Sequence, residues 1–174
     1  MPVETQTANA ADLEAVIPTD MTLLRAVEVN FSGETLSSSA ELSIPLPDSL
    51  DISHPVLVSR LFEADGKRLL EVVATGQVTG GLITSQTGSV AGATFPGIVS
   101  SGTYLFIEAS RAVGFMTGIV SGLDGLPKVG ALVSVDGSTL ANLSNADGSY
   151  LVATLSGPWT ARALDLTTRN EGIV

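Results

Sequence analysis

The chain has no cysteine and one histidine, His54. Without cysteine there can be no disulfide, no thiolate metal site and no cysteine nucleophile. A Ser-His-Asp triad or a histidine-based metal site would have to use His54. That residue lies in Ile52-Ser53-His54-Pro55, and the position before a proline is pushed to extended or turn geometry. It reads as a loop histidine at the start of a strand. Basic residues are also scarce: 8 Lys and Arg stand against 18 Asp and Glu, a net charge of −10. Lys67-Arg68 is the only adjacent basic pair. Nucleic-acid binding needs clustered cations to displace counterions, so it is not expected. Attraction to an anionic membrane surface fails for the same reason. No apolar run approaches the roughly 20 residues that span a bilayer, so membrane insertion is not expected. The start, Met1-Pro2-Val3-Glu4, has neither a basic n-region nor an apolar h-region. Met1 reads as an added start codon on a mature or excised segment.

Aromatics make up 5% of the 174 residues and charged residues 15%, whereas 44% are hydrophobic. Disordered chains are poor in apolar residues and rich in charge, so this chain folds. Its core must be mostly Val, Leu, Ile and Ala. The length suits one larger domain or two small ones. A single globule would bury roughly 69% of its unfolded surface, and two halves about 60–63% each.

Residues 1–20 read as a tail or linker, with a short helical turn over 10–16 that Asn9 could cap. From Met21 the pattern is that of strands. Residues 24–31 alternate apolar and polar side chains, as a half-buried strand does. Ala40, Leu42, Ile44 and Leu46 share one face of the next, and Pro45 removes a ladder donor, which favours an edge. Residues 56–63 and 68–76 flank an Asp65-Gly66 turn, a strong hairpin signal. Residues 84–94 are small and polar and read as a solvent-facing loop. Residues 102–109 form a strand with Tyr104, Phe106 and Glu108 on one face and Leu105 and Ile107 on the other. Turns roughly every 8–12 residues indicate an antiparallel β-sandwich or barrel. The fold class is all-β, with a β-sandwich domain over 21–112 and a second over 113–174.

The second half has its own pattern: Gly118-x-Val120, then Pro127-x-x-Gly130-Ala131-x-Val133-x-Val135, then Asn145-Ala146-Asp147-Gly148-Ser149-Tyr150, then Gly157-x-Trp159-x-Ala161. In order and spacing it resembles the carboxypeptidase regulatory-like domain, over about residues 114–168. It departs from that family in having Trp159 in place of a tyrosine and an extra glycine between Gly118 and Gly130. The resemblance implies a small transthyretin-like sandwich without catalysis. It also implies an accessory or tandem module of a secreted or surface bacterial protein. No family is assigned to residues 21–112.

Constellations that could carry chemistry are few. Paired carboxylates serve glycosidases, but nothing makes Glu63, Glu71 and Glu108 converge. Intramolecular isopeptide bonds need a lysine beside an Asn or Asp, and only Lys67 and Lys128 are available, both next to turns. Calcium is the one cofactor the acids suggest, because it takes six to eight oxygen ligands. Asp124, Asp136, Asn145 and Asp147 all sit in turns, although without EF-hand spacing. No Gly-x-Ser-x-Gly nucleophile motif is present. The expected role is a non-enzymatic structural or adhesive module, extracellular or at the cell surface. It would act as a spacer or assembly unit, with filament formation as a variant, and its partners would be neighbouring domains or identical subunits. Residues 1–20 and Gly172-Ile173-Val174 are where those could join, since an extended apolar strand can add to an open sheet edge. The alternative is a carbohydrate- or ligand-binding accessory module, which would need Trp159 exposed.

Overall fold

The computed structural model describes residues 4–7, 13–48, 50, 53–90 and 93–173, and among these the regular structure is all-β apart from one short 3₁₀ turn. The segment with the clearest alternation becomes a strand buried on both faces. In β9 (Gly102–Ala109), Tyr104 and Phe106 face one side and Leu105 and Ile107 the other, all without solvent contact. The Tyr104 hydroxyl donates to the Ser100 carbonyl at 2.6 Å, so its polar tip is satisfied.

Seven strands form one antiparallel sheet around it. They are β1 (Glu4–Thr7), β2 (Met21–Asn30), β3 (Ser43–Pro45), β4 (Val56–Ala64), β5 (Lys67–Thr79), β6 (Leu82–Gln86) and β9. Their spatial order is β1-β2-β9-β4-β5-β6-β3. The β4–β5 hairpin turns at Asp65-Gly66, both left-handed with φ of 53° and 68°, as a two-residue hairpin turn requires. Gly80-Gly81 repeats that geometry between β5 and β6. Pro45 lies on the edge strand β3, where its missing donor costs no ladder bond.

Three expectations need amending. The strand expected over 40–46 shrinks to Ser43–Pro45, because the Leu42 amide donates to the Ser85 hydroxyl instead of a backbone partner. The loop expected over 84–94 contains the end of β6 and a small ribbon, β7 (Ser89–Val90) with β8 (Ala93–Thr94). Segment 1–20 is also partly packed. Glu4–Thr7 pairs with β2. The helical turn falls on Glu14–Val16, with Leu13 and Val16 buried; Asn9 lies outside the described residues.

The second half builds two further sheets. β10 (Val113–Ile119) pairs with β13 (Ser149–Leu155). β12 (Ala141–Leu143), β11 (Leu132–Val135), β14 (Ala161–Leu164) and β15 (Glu171–Ile173) form the other, in that order. Val133, Val135, Tyr150, Val152, Ala161 and Ala163 fill the space between them. The opposite face of β13 carries Leu151, Ala153 and Leu155, which pack with Leu57, Leu70, Val72, Leu105 and Ile107 of the seven-stranded sheet. The two halves therefore share a core. Polar links cross the same boundary. The Leu70 amide donates to the Thr139 carbonyl at 2.9 Å, the Thr139 hydroxyl donates to the Val16 carbonyl at 2.6 Å, and Asn142 donates to Glu71 at 3.0 Å.

Leu70 is fully buried where both halves meet. Leu70→Ala is expected to cost about 2–5 kcal/mol, the range for a large-to-small change in a packed core. In urea unfolding, far-UV circular dichroism and Trp159 fluorescence should both shift to lower midpoints and remain coincident.

Candidate functional site

A groove of about 1110 Å³ lies at the far end of the second half, away from the shared core. Its floor follows from local chemistry. Gly118 lies opposite Tyr150 in the β10–β13 register. A Cβ on Gly118 would come within 2.7 Å of the Tyr150 hydroxyl, so only glycine lets the ring lie across β10. Burial pushes the Tyr150 phenol above its ordinary value, which keeps it neutral. Gly148, at φ 77°, passes so close to the Val120 carbonyl that a Cβ would sit 2.6 Å from it. Its turn is closed by Asp147, which accepts from both the hydroxyl and the amide of Ser149. Those bonds hold the Asp147 carboxyl below the usual carboxylate range.

The β10–β11 connection forms the wall. It is a hydrogen-bonded loop rather than an open one. Gly122 donates to the Leu126 carbonyl and Lys128 to the Val120 carbonyl, both at 2.8 Å. Asp124 accepts from the Leu126 amide. Buried Ser144 accepts from the Ala131 amide and donates to the Lys128 carbonyl. On this scaffold Leu123 is 99% exposed, with Leu126 at 64% and Val129 at 63%. Ile119 at the end of β10 and Ile173 on β15 complete the apolar rim. Only Leu82 and Trp159 are exposed large apolar side chains elsewhere among the described residues. The opposite wall is the β14–β15 turn, fixed by a 2.7 Å ion pair between Lys128 and Asp165. That lysine, then the Thr168 hydroxyl and the Thr167 amide, hold the Asp165 carboxyl far below its ordinary value. Lys128 thus makes an ion pair with a carboxylate kept in its ionised form.

The other residues singled out in the sequence are dispersed. Asp136 pairs with Arg162 at 2.7 Å, and Asn145 donates to the Ser149 hydroxyl. With Asp124 and Asp147 they serve three separate turns, and among the described residues no group of three or more acids and histidines is placed to hold a metal. Glu71 faces Arg60 at 2.6 Å and Glu108 faces His54 at 3.1 Å. Glu63 lies across from Arg68 in the β4–β5 register. Lys67 lies at the start of β5, after the Asp65-Gly66 turn. Trp159 is 37% exposed, its indole N–H donating to the Leu155 carbonyl. It walls a smaller cavity of about 260 Å³ with Thr19, Asp20, Ser138 and Thr139. The sequence reading missed the groove. Its only signal was three bulky apolar residues, Leu123, Leu126 and Val129, inside a segment otherwise rich in Gly, Ser and Asp.

Comparison with protein-family models, curated proteins and solved structures returns no match. The functional reading therefore rests on the chemistry of these sites.

The Asp165 wall makes stability depend on pH in a defined direction. Its folded-state value is depressed. Its contribution is therefore complete above the unfolded value of about 3.9 and is lost as pH falls through the folded value. Melting temperatures of the wild type and Asp165→Asn should differ by a constant amount from pH 7 to about 5. The gap should then close as the pH drops further. A gap that widened below pH 4 would contradict the assignment.

Proposed function

We propose that the chain is a non-enzymatic structural or adhesive module of a secreted or surface bacterial protein, acting as a spacer or assembly unit. Its strands would make two antiparallel β-sandwiches in tandem, fused through the core they share. The second, over about residues 114–168, would be a carboxypeptidase regulatory-like domain of transthyretin-like topology. Gly118 and Gly148, which carry part of that resemblance, are required by close contacts in this chain, Gly118 by its contact with Tyr150.

One observation carries the functional reading: among the described residues, five of the seven exposed large apolar side chains gather on one groove. A contiguous apolar patch on a soluble domain marks an interaction surface. Of the carboxylates that could do chemistry, Glu71, Glu108, Asp124 and Asp147 are instead engaged with arginine, histidine or turn amides. The partner in this reading is a neighbouring domain or an identical subunit.

A second reading is supported by Trp159. A half-exposed indole, its ring fixed by its own hydrogen bond, beside hydroxyls and a carboxylate is a surface on which a sugar ring could stack. The two readings separate in one experiment. Iodide quenching of Trp159 is measured with and without a panel of mono- and disaccharides, and the same preparation is viewed by negative-stain microscopy. The module reading expects no protection of Trp159, with ordered oligomers if the module is an assembly unit and single particles if it is a spacer. Saturable protection by a sugar, with single particles only, would replace it with the ligand-binding reading.

A further inference from the structure

Two segments match the Asn-x-Ser/Thr pattern at which sugars are attached to asparagine, Asn30-Phe31-Ser32 and Asn142-Leu143-Ser144. The structure separates them. Asn142 is 6% exposed and donates to Glu71. Ser144 is buried too, its hydroxyl held between the Ala131 amide and the Lys128 carbonyl. Neither side chain can reach an enzyme without unfolding. Asn30 is the last residue of β2, and both it and residues 32–35 are exposed. Phe31 between them is fully buried, and its amide donates to the Ser101 hydroxyl at 2.8 Å. The exposed turn therefore stands on a fixed anchor.

The hydrogen bonds show which atom of Asn30 is free to react. The Ser32 amide donates to Oδ1 of Asn30 at 2.8 Å. Only the oxygen of a side-chain amide can accept from a backbone N–H, so this bond fixes which way the group is turned. Nδ2, the atom that carries the sugar in an N-linked glycan, is left without a hydrogen-bond partner among the described residues. The bond also draws electron density towards Oδ1, which makes a proton on Nδ2 easier to lose. Ser32 and Gly33 are both left-handed, at φ 56° and 83°, and the Glu34 amide closes the turn on the Phe31 carbonyl. Glu28 lies two positions before Asn30 on the same exposed face of β2, where it accepts from Gln6. With Glu28 the segment fits the longer Asp/Glu-x-Asn-x-Ser/Thr pattern of bacterial acceptors, whereas the matching position before Asn142 is Leu140.

We propose that Asn30 is the acceptor of an N-linked glycan, which a membrane transferase takes from a polyprenyl-diphosphate-linked oligosaccharide. In the transfer Nδ2 attacks the anomeric carbon of the first sugar, and an N–C bond forms. The C–O bond to the diphosphate breaks, and the lipid diphosphate leaves with the electron pair. Nδ2 gives one proton to a base of the transferase, and nothing is oxidised or reduced. This rests on the secreted or surface reading above, because such transfer takes place outside the cytosol.

The test incubates the folded full chain with a purified single-subunit bacterial oligosaccharyltransferase and a polyprenyl-diphosphate-linked oligosaccharide. Intact mass and peptide mapping read the product. The wild type should gain the mass of one oligosaccharide, carried on Asn30. Asn30→Asp removes Nδ2 but keeps an oxygen for the Ser32 amide, so the turn survives and the added mass should be lost. Ser32→Ala, at an exposed position, should also lose it while melting as the wild type does. A folded wild type that gains no sugar, or gains it on Asn142, overturns the assignment and leaves the surface reading standing. Sugar retained by either variant does the same. Location is read separately, by fractionating the producing cells. A chain found only in the cytosol overturns the surface reading, and with it the transfer in the cell, whatever the purified reaction gives.

Discussion

Leu57, Leu70, Leu105 and Ile107 make up one face of the seven-stranded sheet, and the rest of the molecule depends on what covers it. Exposed to water, that face would cost on the order of 1.5–3 kcal/mol per side chain. The second half covers it with Leu151, Ala153 and Leu155 of β13, and the N-terminal turn adds Leu13 and Val16. β13 can do this because it is apolar on both sides. Tyr150 and Val152 look into the smaller core, while its alternate residues look into the shared one. The same strand that closes the second half therefore fastens it to the first, and the groove is left at the end of the molecule that this fastening does not reach.

Scarcity of aromatics shapes how the cores are filled. Phe31, Tyr104 and Phe106 are completely buried on the face turned away from the second half. Phe95 meets Phe115 edge to face at 5.3 Å, one ring from each half. Elsewhere aliphatic side chains do the filling, and polar contacts fix the register. Glu71 accepts from Arg60 on β4 and from Asn142 on β12, and Arg60 also donates to Ser100. In such a partly buried network, losing one partner leaves a charge uncompensated.

Much of this was legible in the sequence. The alternation in 102–109, the Asp65-Gly66 turn and the edge proline Pro45 act through local chemistry, and the structure has each of them in its expected role. What escaped was set by distant partners. Residues 84–86 looked like loop because Ser85 faces inward where an apolar residue would be expected. It is buried because its hydroxyl takes the Leu42 amide. The sharing of one core by both halves was hidden because β13 is apolar at all but two of its positions, Ser149 and Thr154. Alternation says nothing about such a strand, and only its neighbours define its two faces. The groove was hidden by Gly122, Gly125 and Pro127, which made its wall read as a turn. It is a turn, and one that displays leucines.

The central claim is that one core makes the two halves a single cooperative unit. Native-state amide hydrogen exchange tests it most directly, because it resolves opening residue by residue. The amides of Leu70, Leu105 and Val152 should open with one common free energy and one common dependence on denaturant. A second half that opened separately, with Val152 exchanging at a lower free energy than Leu105, would contradict it.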